Sequence, residues 1–237
     1  MPTWTPPHPR TSAAPPASPF SDNVPVSSGA VDYCPRTEAG YEKARVKLRA
    51  EFAAWCTSTG AEVDPDAGEG LLHYKWGFLD GHLTRWTCAD LDAVLLEIYP
   101  AKMIVEGDDL ERLLPEARVF MQFLGDTGLL DSASDDPKVL CSHLDSLGPR
   151  LRRNMADTSR YSWGKRFWLA AAAAGVRPDD QAAVEAYIDS FNSLPLPERE
   201  AMLGPTPSAT TPEGLGPSRF TPPHQPPRRT RRQRRHR

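Results

Sequence analysis

His73, Asp80 and His82 fall within ten residues of one another, and imidazole and carboxylate groups at that density are the usual raw material of metal or acid–base chemistry. The two histidines can meet only if a turn at Asp80-Gly81 brings them together. A catalytic zinc ion takes three protein ligands, and no third ligand stands at a matching spacing. Cys141 and His143 lie two residues apart, which on a helix points them to different faces. No metal site and no cofactor is therefore expected. With Arg85 added, His73, Asp80 and His82 are the set that an enzyme using the 72–90 region would depend on.

Other stretches resemble chemistry but read more simply as helix punctuation. Asp126-Thr127-Gly128 matches the short signature of aspartic proteases, where two such aspartates share a proton. Here it follows the helical pattern "EARVFMQFL", and the glycine stands where a helix terminator belongs. The acid pairs Asp108-Asp109, Asp135-Asp136 and Asp179-Asp180 each precede a helical pattern, where aspartate caps free amides and complements the helix dipole. The aromatic set Trp76, Phe78, Trp86, Trp163, Phe167 and Trp168 could stack on a flat ligand, but its spacing is that of packed core faces.

The elements that would position these groups are predicted to be helices. Tyr41, Leu48, Phe52, Trp55 and Cys56 follow one helical face that stops at Gly60. Thr87 and Asp90 form a capping-box pattern for "CADLDAVLLEIY", with Pro100 closing it. "DDLERLL" and "PEARVFMQFLGDTG" follow, with Pro115 suited to a first turn. "DPKVLCSHLDSL", "GPRLRRNMAD", "SWGKRFWLAAAAAG", "DDQAAVEAYIDSFN" and "LPEREAMLG" complete an all-α domain of seven or eight helices. Residues 72–87 leave two readings open: a hairpin around Asp80-Gly81, or a short buried helix followed by a turn. The second is favoured because a lone hairpin would be the only sheet in the chain.

Proline marks the limits of that domain. Nine of the 25 prolines lie in residues 1–35 and eight in residues 205–237, whereas five of the six tryptophans lie between. Pro-, Ser- and Ala-rich segments cannot bury enough surface to offset ordering entropy. The expected organisation is a disordered segment at 1–35, a globular body at 36–204, and a disordered linker and tail at 205–237. The four cysteines are scattered, and the N-terminus shows no apolar signal-peptide core. No apolar run approaches the roughly 20 residues of a membrane-spanning helix. A reduced, cytoplasmic protein is predicted.

Tyr74-Lys75-Trp76-Gly77, the run from Asp80 to Thr87, and the ending "AYIDSFNSLPLPEREAMLG" are similar to elements of a group of helical hypothetical proteins from actinobacteria. The resemblance spans about 70–204. It implies a helical fold, and it implies no site, since that group has no established activity.

The remaining signal is charge. The net charge of -3 conceals a body (36–204) at -9 and a C-terminal segment (205–237) at +7. Arg228, Arg229, Arg231, Arg232, Arg234, Arg235 and Arg237 stand in the last twelve residues with no acid among them. Arginine's planar fork bonds phosphate oxygens in pairs, so such a segment binds nucleic acid or another polyanion without reading bases. The sequence thus predicts a non-enzymatic interaction protein, with a protein partner for the acidic helical body and a polyanion contact for the tail. An enzyme with its site in the 72–90 region is the alternative.

Overall fold

A computed structural model describes residues 31–105 and 107–204, and every regular element among them is helical. Helix α1 (Glu38–Thr59) starts at Thr37, whose hydroxyl accepts the Gly40 amide, and ends at Gly60 with φ 72. Helix α2 (Glu69–Phe78) is followed by an irregular turn. Helix α3 (Cys88–Asp92) runs through a π-helical segment (Ala93–Ile98) into α4 (Tyr99–Lys102). Then come α5 (Asp108–Asp126), α6 (Pro137–Ser146) and α7 (Gly148–Ala156). A 3-10 turn (Thr158–Arg160) leads to α8 (Trp163–Ala173), α9 (Gln181–Ser193) and α10 (Leu196–Leu203). The fold class is all-α, as the sequence predicts, and residues 72–87 are a helix and a turn.

Two prolines behave differently from the expectation. Pro100 does not close its helix; the run continues to Lys102. A proline inside a helix removes an amide and crowds the carbonyl four residues back, here that of Leu96. The π-helical widening lies over that turn, and the buried Asn154 side-chain amide donates to the Leu96 carbonyl at 2.9 Å. The helix thus passes its proline because a residue 58 positions away replaces the missing donor. Pro115 lies inside α5 instead of opening a new helix, which merges the two expected segments into one. Pro115 and Glu111 are both exposed, so the carbonyl deprived of its amide lies on the solvated face.

The core is built around aromatic contacts between α1, α2 and α5. Phe52 of α1 meets Phe120 edge-on, with ring centroids 5.4 Å apart, and Phe123 at 5.3 Å. Tyr41 stacks on Trp76 at 4.5 Å. Trp86, Phe52, Phe120 and Phe123 are almost wholly excluded from water; burying one such side chain contributes about 1.5–3 kcal/mol. Residues 31–35, grouped with the N-terminal flank on proline content, run along this core. The Pro35 carbonyl accepts the Trp76 indole N–H at 3.0 Å, and the Tyr33 carbonyl accepts the Leu83 amide at 2.8 Å.

Helices α8 to α10 form a second, smaller layer with its own aromatic centre. Phe167 packs against Phe191 at 4.9 Å and Tyr187 at 5.2 Å. This layer is anchored where α4 ends, since the last carbonyls of a helix lack amide partners. The Ala101 carbonyl accepts the Ser162 amide at 2.9 Å, and the Pro100 carbonyl accepts Lys165 Nζ at 2.9 Å.

Candidate functional site

The stretch from α2 to α3 places its charged groups around one lysine. Lys75 lies on the inner face of α2 beside Leu71, Leu72 and Trp76, and its side chain has no solvent exposure. Burying an ammonium is costly unless it is paired, and two carboxylates supply the pairing. Lys75 Nζ lies 3.1 Å from Asp80 Oδ1 and 2.9 Å from Asp90 Oδ2. The same nitrogen stands 5.2 Å from the centroid of the Trp86 ring. Trp86 is fixed by its own indole N–H, which donates to the Leu83 carbonyl at 2.9 Å.

Each carboxylate also has a backbone task. Asp90 accepts the Thr87 amide at 2.9 Å while the Thr87 hydroxyl accepts the Asp90 amide at 3.1 Å. The predicted capping box is therefore present, and it faces a buried cation. Asp80 accepts the His82 amide at 2.9 Å, and Arg85 donates to it through Nε at 3.2 Å and Nη2 at 2.5 Å. Burial alone would raise the Asp80 carboxyl. Hydrogen bonds from Arg85 and the His82 amide, with Lys75 beside them, outweigh burial and hold it below its ordinary value. Two cations and two anions form a neutral cluster, a geometry suited to locking a turn in place.

Of the four residues singled out for chemistry here, the structure joins Asp80 and Arg85. His73 is exposed on α2, about 200° round the helix from Lys75, with its ring edge-on to Tyr74 at 5.0 Å. His82 is half-buried in the turn and meets Asp80 through its backbone amide. Sequence reasoning missed Lys75, and it read Asp90 as a capping-box residue without its contact to that lysine. The signal was available for Lys75, a lone cation inside the apolar run "GLLHYKWGF".

Two of the paired acids cap the helix they precede, whereas α5 starts after Gly107 with no side-chain cap and Asp179 accepts from Arg177. Asp136 accepts the Lys138 amide at the start of α6, and Asp180 accepts the Ala183 amide at the start of α9. Asp135 reaches across the fold to the Cys88 amide at 2.7 Å, serving a helix other than the one it precedes. Asp108 and Asp109 lie in the first turn of α5. Asp126-Thr127-Gly128 is the end of α5, with Gly128 at φ 68. Cys141 Sγ lies 3.8 Å from the Arg118 carbonyl, whereas His143 Nε2 is 2.8 Å from Asp92 Oδ1; the two side chains serve different neighbours. Among the described residues no group of three or more His, Cys, Asp and Glu side chains could hold a metal ion. No helix among them is long and apolar enough to cross a membrane.

The seven tail arginines, Arg228 to Arg237, lie outside the described residues. Comparison with protein-family models, characterised proteins and solved structures gives no match to this chain.

Proposed function

We propose that this chain is a non-enzymatic interaction protein, in which the acidic helical body binds a protein partner and the arginine-rich tail adds a sequence-independent contact to a polyanion such as nucleic acid. The observation that carries this reading is the contrast between the two sets of arginines. Nine of the thirteen arginines in residues 31–204 lie within 4.0 Å of a carboxylate of the same chain. The seven in the tail have no acid near them in sequence. The tail is the one run of arginines with no nearby acid to compete with phosphate, which supports assigning polyanion contact to it. The internal cluster at Lys75 supports the non-enzymatic half of the reading, since its charged groups are occupied in holding the turn between α2 and α3.

Titrating labelled duplexes of two unrelated sequences at several salt concentrations tests this. Seven phosphate contacts give a log–log salt slope of about -6, at about -0.9 per contact. A shallower slope is expected, because the body at -9 competes for the same arginines at short screening distance. Deleting residues 226–237 should abolish binding, and changing the DNA sequence should leave it unaltered. Undiminished binding by the truncated chain would overturn the assignment of the contact to the tail.

A further inference from the structure

A second buried lysine is not part of any charge cluster. Lys165 stands in the first turn of α8, where the Ser162 hydroxyl accepts its amide at 3.2 Å. Only 5% of the residue is exposed, yet no ion pair reaches it among the described residues. Its Nζ donates to the Pro100 carbonyl at 2.9 Å and lies 3.7 Å from the centroid of the Tyr161 ring. The side chain forms part of the wall of a cleft of about 240 Å³ between α8, the end of α7 and the start of α5. Ile104, Leu110, Met155 and Leu169 make the walls apolar, and Arg152 supplies one cationic group.

We propose that Lys165 is a carbonyl-capturing amine, and that the cleft takes a small aliphatic 2-oxo acid, held as an imine on Lys165 with its carboxylate on Arg152. Three features carry this beyond a merely buried side chain. Lys165 lines a cavity of a size that suits a compact ligand, and the contacts of its amine are a carbonyl oxygen and a ring face. A cation stands on the same cleft. Arg152 is paired with Glu111 at 3.1 Å, and both side chains are more than half exposed; such surface pairs are worth about 0–1 kcal/mol, so Arg152 can exchange Glu111 for a ligand carboxylate.

The chemistry needs no further reactant. The Lys165 nitrogen lone pair adds to the carbonyl carbon, and the carbonyl oxygen takes up a proton, giving a carbinolamine. The nitrogen lone pair then expels that oxygen as water. The two amine protons leave with the oxygen, one imine bond replaces one carbonyl bond, and nothing is oxidised or reduced. The step requires the neutral amine. Burial pushes Lys165 down to about 8 from the ordinary lysine value, so near neutral pH its neutral fraction exceeds that of an exposed lysine by on the order of a hundredfold.

The full-length protein is incubated with pyruvate and then with borohydride, which delivers hydride to any imine and fixes it as a secondary amine located by peptide mass spectrometry. Lys165 should carry the adduct in at least about tenfold excess over exposed lysines such as Lys43 and Lys138, and Lys165→Met should remove it. Arg152→Ala, a change at an exposed side chain, should reduce labelling by pyruvate severalfold and leave labelling by acetone, which has no carboxylate, unchanged. An unmodified Lys165 in the wild-type chain, or adduct spread evenly over its lysines, overturns the proposal. Equal loss of pyruvate and acetone labelling in Arg152→Ala overturns the part assigned to Arg152.

Discussion

Lys75 Nζ on α2 lies 2.9 Å from Asp90 Oδ2 on α3, and this contact joins two helices through a side chain that solvent does not reach. Asp90 also closes the capping box of α3, so one carboxylate serves a tertiary contact and a helix start.

Removing Asp90 should therefore be among the more damaging single changes. Asp90→Ala leaves a buried ammonium short of a partner, which costs about 3–5 kcal/mol when a buried pair is broken. It also removes half of a capping box. His73→Ala, on the exposed side of the same helix, should stay within about 0.5 kcal/mol of the wild type. Urea denaturation of the two variants gives the comparison, and equal midpoints would show that the Lys75 cluster is dispensable for stability.

The same cluster makes a prediction about acid. The folded Asp80 carboxyl is held below its ordinary value, so its stabilisation is complete above the unfolded value of about 3.9 and is lost as pH falls through the folded one. Asp80→Asn should be less stable than the wild type at neutral pH. The gap should narrow steadily as pH drops below about 4, as followed by helical circular dichroism in urea.

Lys165 predicts a dependence of the same sign in an alkaline window. Its folded value lies near 8, so between that pH and the ordinary lysine value of about 10.4 the unfolded chain binds more protons, and stability due to this group rises with pH. The stability of the wild type relative to Lys165→Met should increase across that interval. Using the difference removes the contribution of tyrosines and cysteines that titrate in the same range. A flat difference would show that Lys165 is solvated in the folded protein.

The π-helical turn yields a fourth prediction. Asn154→Leu keeps bulk in a buried position but leaves the Leu96 carbonyl without the donor that replaces the amide missing at Pro100. The cost should be about 1–3 kcal/mol. Pro100→Ala in that background should recover part of it, because position 100 regains an amide. Additive effects of the two changes would separate Asn154 from the proline.

Close packing beside α2 gives the last. A Cβ at Gly68 would stand 2.5 Å from the Phe120 ring, and Phe120 is itself buried. Gly68→Ala should cost about 1–3 kcal/mol through overpacking. Gly60→Ala, where the obstacle is φ 72 and nothing lies within 4 Å, should be destabilised by backbone strain alone. Thermal unfolding of Gly68→Ala with Phe120→Leu distinguishes the two, since shortening the ring should relieve only the clash.

The sequence by itself determined the helical class, most helix starts and the caps at Asp136 and Asp180, because these depend on contacts between residues a few positions apart. Thr87 and Asp90 form a capping box wherever the following run is helical, and Gly128 ends α5 for reasons held within one turn. Tertiary structure decided what Pro100 does, because the donor that lets the helix pass it comes from Asn154 on another helix. It also decided that Asp80 and Arg85 join around Lys75 and that His73 stands apart. Spacing along the chain does not encode which face of α2 turns inward once apolar residues occur on more than one side. Lys165 was hidden for the same reason: a lysine in an apolar helix reads alike whether its amine reaches solvent or ends at a carbonyl 65 residues away. Burial and partnership are properties of packed surfaces, which contacts within one helix do not specify.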